Sequence, residues 1–282
     1  RVRRASLAVN RRLGGLDLVP ALIEGTPGPA PAELPRTSAS GAAAVYFPAC
    51  VNRIFASHGQ LTVPEALTRV AERAGRPVWI PDDVAGACCA TPWVSKGYDE
   101  GAATMAEVMI RRAWRWSEAG RLPIVTDASS CAHGLRDLGK RLHGVEKQRF
   151  ERLQIVDSVE FVAELLPALS IEPVERVVVH PTCANHRDAT TATLMRIASA
   201  LAGQVEVPTP ATCCGFGGDR GFLHPELTES ATRVMAAQVE PGRDGYLSAN
   251  RPCEIAMTHA TGESYGSYLL LLEERTRSMT SA

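Results

Sequence analysis

Val45-Tyr46-Phe47-Pro48-Ala49-Cys50 and Val177-Val178-Val179-His180-Pro181-Thr182-Cys183 are short apolar runs of the kind that form buried strands, and both end in Pro-x-Cys. Working outward, a helical stretch follows each, Val63 to Ala74 and Thr190 to Ala202. A strand-like run closed by proline comes next, Pro77 to Pro81 and Gln204 to Pro208. Both copies then reach two adjacent cysteines, Cys88-Cys89 and Cys213-Cys214, and further helical stretches, Gly101 to Glu118 and Glu226 to Gln238. A third strand, Leu122 to Thr126 or Gly245 to Ser248, leads to Cys131 or Cys253. The order β-α-β-α-β-Cys-α therefore occurs twice. Matching cysteines lie 133 (50 to 183), 125 (88 to 213) and 122 (131 to 253) residues apart, so loop lengths drifted while the order was kept.

Alternating strands and helices imply an α/β fold: two pseudo-symmetric β-α-β-α-β halves with parallel sheets and right-handed crossovers. Ligands of such sheets gather beyond the carboxyl ends of the strands. All eight cysteines lie at such ends, which brings four thiols to one rim in each half even though Cys50 and Cys88 are far apart in the chain. The expected division is a basic segment and Pro/Ala-rich linker over 1–43, a first cysteine-rich domain over 44–150 and a second over 151–282. Residues 26–44, rich in Pro, Gly, Ala and Ser, resist helix and strand and read as a linker, with the folded part starting near Ala44.

The chain has 282 residues, enough for two α/β units, with 45% hydrophobic residues, 22% charged residues and a formal net charge of -1. That balance gives no basic footprint for nucleic acid and no acidic tail. No apolar run approaches the roughly 18 to 20 residues of a membrane span. The opening Arg1-Val2-Arg3-Arg4 lacks an initiator methionine, as expected of a processed chain or the C-terminal piece of something longer. Its Arg-rich, acid-free first residues read as a basic terminal helix, with a transit peptide as the alternative. The cysteine and histidine positions repeat as a scaffold would, which speaks against a nucleophilic enzyme.

Four cysteines suit an iron-sulfur cluster. Zinc also takes four ligands, but its sites usually space cysteine pairs by two to four residues, which neither half does. Eight reduced cysteines packing as small hydrophobes is the plain alternative. The candidate ligands are Cys50, Cys88, Cys89 and Cys131 in the first half and Cys183, Cys213, Cys214 and Cys253 in the second. Gly215, Gly217 and Gly218 would let backbone amides approach sulfur, where the first half has Ala90 and Thr91. His133, His180, His186 and His259 lie near cysteines as hydrogen-bonding neighbours or substitute ligands. Trp93 and Tyr98 could shield the first site or serve as ordinary core aromatics. Arg53, Arg187, Arg220 and Arg251 could offset cluster charge or simply face solvent.

These motifs resemble the duplicated cysteine-rich CCG domain found in the cysteine-rich subunit of heterodisulfide reductase, the glycolate oxidase iron-sulfur subunit and FAD-linked D-lactate dehydrogenases, over roughly residues 44 to 265. Tyr46 to Arg53, Cys88 to Trp93 and Cys213 to Gly221 look most like the C-terminal part of the last group. The resemblance implies an oxidoreductase component that takes electrons from a flavin oxidising D-lactate, or another D-2-hydroxy acid, and passes them towards a quinone or cytochrome. FAD and ferredoxin-like clusters would belong to upstream domains or partner subunits, because no flavin motif and no Cys-x-x-Cys-x-x-Cys run occurs here. The full family pattern ends each half in Cys-x-x-Cys. Here the first of those positions is Ala128 or Asn250, leaving four cysteines per half and making an ordinary 4Fe-4S cluster the expected occupant. Disulfide cleavage of the heterodisulfide reductase type, which needs the fifth cysteine, is the alternative, and a zinc or scaffold module the other. Reduced thiolates favour the cytoplasm, with attachment at the inner face of a membrane allowed.

Overall fold

The computed structural model describes residues 22–57, 59 and 61–277, together with 5, 8, 9, 12 and 20. The expected basic terminal helix lies largely outside them. The first half runs β1 (Ala44–Phe47), α1 (Cys50–Ile54), α2 (Val63–Arg73), β2 (Val78–Trp79), α3 (Thr91–Ser95), α4 (Asp99–Trp116), β3 (Ile124–Thr126), α5 (Ser129–Asp137), α6 (Gly144–Glu151), β4 (Ile155–Asp157) and α7 (Ser158–Leu165). The second runs β5 (Val174–His180), α8 (Cys183–Arg187), α9 (Thr191–Leu201), β6 (Ala202–Glu206), α10 (Arg220–Leu223), α11 (Pro225–Ala236), β7 (Gly245–Ser248), α12 (Arg251–Thr261), β8 (Tyr265–Ser267) and α13 (Tyr268–Arg275). Apart from α6 and the 3-10 turns at Leu138–Arg141 and Leu166–Ala168, the two orders match element for element among the described residues.

Every strand pairing is parallel, in the orders β2-β1-β3-β4 and β6-β5-β7-β8. The two-half α/β fold read from the sequence is therefore the one observed, with one addition. Each sheet carries a fourth strand and a final helix, and β4 lies past residue 150, so the first sheet closes inside the stretch assigned to the second domain. β4 and β8 are only three residues long and, unlike β2 and β3, have no proline or cysteine closing them to mark the strand end. Their following helices are better marked. Asp157 accepts a hydrogen bond from Val159 N while Glu160 accepts one from Asp157 N, and Ser267 accepts one from Leu269 N.

Before Ala44, the first residue of β1, the stretch that reads as a linker has no helix or strand, as its composition implies, and it is docked along the body. Ile23 is buried, Pro29 forms a β-bridge with Phe55, and Thr37 Oγ1 accepts from Ile80 N at 2.7 Å. Apolar side chains meeting hydrophobic surface override a composition that is poor in regular structure.

Contacts between the halves occur twice, in related pairs. Helix α2 packs on α13 and α9 on α7; α5 meets α8 and α12 meets α1. Buried residues of both sheets form one contiguous core. The polar contacts follow the same rule: Asn52 Oδ1 accepts from Arg251 Nε at 3.3 Å, while Asn185 Nδ2 donates to Ser129 Oγ at 3.0 Å. Arg251 and Glu254, 1% and 2% exposed, form a buried ion pair at this seam, and Arg251 Nη2 also donates to Ser57 Oγ.

Burial pushes the Glu254 carboxyl up to about 7, against the pull of Arg251. Its ionisation therefore costs stability increasingly as pH rises from the ordinary carboxylate range through 7. Arg251→Met leaves that charge unpaired and should destabilise the chain by about 3–5 kcal/mol at pH 8 in urea unfolding, with a smaller penalty at pH 5, where Glu254 is protonated.

Candidate metal centre

Cys50 and Cys183 are the first residues of α1 and α8, just past the ends of β1 and β5; Cys131 and Cys253 sit in the first turns of α5 and α12, past β3 and β7. The vicinal pairs lie in the loops after β2 and β6. Parallel register puts Phe47 beside Thr126 and His180 beside Ser248, so the strands carrying the single cysteines end level with each other. In the first half, buried Asp127 holds this junction: it accepts from Tyr46 Oη at 2.6 Å and from Ala49 N at 2.7 Å. In the second half, Ser248 Oγ donates to the His180 carbonyl at 2.9 Å, and a Thr182–Asn185 capping box starts α8.

All eight cysteines are free thiols. Each half brings its four together as a run of sulfur–sulfur contacts. Cys50 meets Cys88, Cys88 meets Cys89, and Cys89 donates to Cys131 at 3.3 Å. Cys183 meets Cys213, Cys213 meets Cys214, and Cys214 donates to Cys253 at 3.1 Å. The electrostatics of the halves differ. Hydrogen bonds from Cys183 and Cys214, with Gly215 N–H at 3.4 Å, hold Cys213 well below the usual thiol range. The Cys214 thiol, assisted by the nearby His180 ring, brings Cys253 down to about 6 against its burial. Their partners Cys183 and Cys214 are pushed up by the contact with Cys213, and in the first half Cys50, Cys88 and Cys89 are all shifted up: Cys50 through its contact with Cys88, Cys88, against the larger downward pull of Cys50, through Cys89 and burial, and Cys89 through its contact with Cys131. Sets of convergent thiols, two of them favoured as thiolates in the second half, fit an iron-sulfur cluster and also suit zinc.

The turns after the cysteine pairs share one backbone shape with different residues. Gly215 has φ +72°, and Ala90, at the matching place, has φ +62°. A Cβ at Gly215 would stand 2.7 Å from Leu227 O and 2.8 Å from Ala231 Cβ, so only glycine fits.

The four candidate histidines separate cleanly. His133 binds Asp188 at 2.6 Å, His186 meets Thr191 Oγ1, and His259 faces Glu229. His180 lies among the thiols, buried, with a ring nitrogen within 4.8 Å of Cys214 and Cys253 Sγ. Arg53 donates to the Val84 and Ala87 carbonyls and favours the Cys50 thiolate; Arg187 favours the thiolate of Cys183. Arg251 belongs to the seam, and Arg220 opens α10. Trp93 and Tyr98 are 40% and 59% exposed and pack edge to face, so neither is a core aromatic. Residues to which the sequence reading gave no role of their own include Tyr46, Asp127, Asn52, Asn185 and Thr91, whose hydroxyl lies 3.3 Å from Cys89 Sγ. The asparagines had a legible signal, because each stands two residues after the first cysteine of its half.

Ala90→Gly should stabilise the chain by roughly 1 kcal/mol in urea unfolding by removing a left-handed alanine, whereas Gly215→Ala should cost roughly 1–3 kcal/mol and disturb the second site.

Among curated proteins, the chain is 26% identical to the glycolate oxidase iron-sulfur subunit of Escherichia coli over 217 residues, 74% of this chain and 53% of that one. It is 27% identical to lactate utilization protein A of Oceanobacillus iheyensis over 213 residues, 71% of this chain and 82% of that one. The chain thus spans about half the length of the first relative. The model of the cysteine-rich CCG domain matches twice, over residues 44–136 and 177–258, which enclose both sets of four thiols and cover more than half of the chain. This chain therefore belongs to the CCG cysteine-rich domain family, in which it carries two copies of the domain.

Proposed function

We propose that this chain is an iron-sulfur electron-transfer unit of a flavin-linked 2-hydroxy acid oxidoreductase. The observation that carries this reading is the twofold convergence of four thiols, drawn from separate parts of the chain, at the carboxyl ends of the strands. Two of the relatives support it by name, one an iron-sulfur subunit of glycolate oxidase and the other a lactate utilization protein. D-lactate is the favoured substrate of the whole assembly, with glycolate and related 2-hydroxy acids behind it. FAD would sit on an upstream domain or partner subunit and a quinone or cytochrome would accept the electrons. The chain would then work in the cytoplasm or at the inner face of a membrane, and no helix among the described residues is long and apolar enough to cross one.

Cys50, Cys88, Cys89 and Cys131 would hold one cluster and Cys183, Cys213, Cys214 and Cys253 the other, each of the 4Fe-4S type. A bound cluster supplies a one-electron carrier. The chain itself fixes the donors before binding, stabilises thiolate at Cys213 and Cys253, and keeps Cys89, Cys131, Cys214 and Cys253 out of water.

Anaerobically purified chain should contain about four to eight irons with matching acid-labile sulfide. Cys214→Ser and Cys89→Ser should each remove the share of one half, and the double variant should be nearly iron-free. Chain that stays free of iron and sulfide after anaerobic reconstitution, or that holds zinc instead, would sink the electron-transfer reading.

A further inference from the structure

The two halves differ in the residue that ends the strand before the first cysteine. Strand β1 ends in Phe47, three residues before Cys50, and β5 ends in His180, three residues before Cys183. Phe47 is taken up in packing, with its ring centroid 6.3 Å from that of Trp116. His180 is 1% exposed, and its Nε2 is buried without a hydrogen-bond partner. A buried imidazole nitrogen left unpartnered is costly, so it calls for a reason. One is close at hand: the ring offers a nitrogen within 4.8 Å of the Sγ atoms of both Cys214 and Cys253, themselves 3.1 Å apart. The ring is also held in place. Pairing of His180 with Ser248 and the hydrogen bond from Ser248 Oγ to the His180 carbonyl fix the backbone, and a Thr182–Asn185 box fixes the next turn. His133 and His186 are engaged with Asp188 and Thr191, and His259, whose Nδ1 is also buried without a partner, faces Glu229 through Nε2 and joins no thiol group among the described residues.

We propose that His180 is a nitrogen ligand to iron in the second half, beside Cys214 and Cys253 and in place of one of the two exposed thiols, Cys183 or Cys213, so that the first half holds its cluster through sulfur alone and the second through sulfur and nitrogen. The inference rests on the cluster reading above. The ring nitrogen that faces the thiols would donate its lone pair with the ring proton on the other nitrogen, the replaced cysteine would keep its proton, and nothing is oxidised or reduced. Histidine among the ligands changes the potential of an iron-sulfur centre, so two clusters built on one duplicated scaffold become unequal, which gives an electron a preferred direction between them.

The test uses the full chain, purified anaerobically, reduced, and prepared with natural-abundance or 15N-labelled histidine for pulsed electron paramagnetic resonance. The expected result is a nitrogen coupling of the strength given by a directly bound ligand, which changes with the label. It should vanish in His180→Phe, which installs the residue of the first half, and persist in His133→Ala and His186→Ala. Native labelled chain carries the test even if His180→Phe folds poorly. A cluster signal with only the weak coupling of a nearby, unbound nitrogen would overturn the assignment, as would a strong coupling that survives His180→Phe. Iron and sulfide measured on the same samples separate these outcomes from failure of the cluster reading, because a chain holding neither would overturn both.

Discussion

Parallel pairing of β1 with β3 and of β5 with β7 is the constraint from which the rest of this molecule follows. A parallel ladder needs a crossover, so the two strands that carry the single cysteines arrive from distant parts of the chain yet end level at one rim. Cys50 and Cys131 come to one site for this reason, as do Cys183 and Cys253. The vicinal pair needs only one loop after the neighbouring strand to complete the set. Folding the sheet is therefore what assembles the donor set, and no separate ordering of a metal-binding loop is required.

The seam adds a second layer of order. The four helices that begin with or carry cysteines all touch across the halves, α1 with α12 and α5 with α8, beside the cysteine-free pairs α2 with α13 and α7 with α9. A cysteine in one half is thus braced by the other: α12 bears Cys253, and its Arg251 reaches Asn52, two residues past Cys50. The price of this bracing is a buried ion pair, whose charges must stay matched for the halves to remain joined. Duplication gives each contact a sibling, and later substitutions have made the siblings unequal, as with Ala90 and Gly215 or Phe47 and His180.

The duplicated order, the helices over Val63 to Ala74 and Thr190 to Ala202, and the meeting of four thiols per half were legible because they rest on repetition and on strand-end topology, both of which are sequence properties. What stayed hidden depends on single contacts. Ile155-Val156-Asp157 is too short to show a period, and only the Asp157-x-x-Glu160 box that follows could have announced it. Asp127 gave no signal, because its role comes from Tyr46 and Ala49, far away in the chain. The four histidines looked alike in sequence, and burial alone distinguishes His180 from the others. Trp93 and Tyr98 were ambiguous for the same reason, since an aromatic near a cysteine says nothing about which way it faces.

The segment before β1 has the composition of a tether, yet Ile23 belongs to the same buried cluster as Cys214, Phe216, Phe222 and Cys253, with Leu22 and Phe55 packed against it. Gly25 lies against α12 so closely that a Cβ there would meet Thr258 at 2.8 Å. The wall of the second thiol set is thus partly made of chain that precedes the first sheet. Protein trimmed at Ala44 would keep both sheets and all eight cysteines while losing part of the cover over Cys214 and Cys253, so the second site would become more open to dioxygen and chelators than the first.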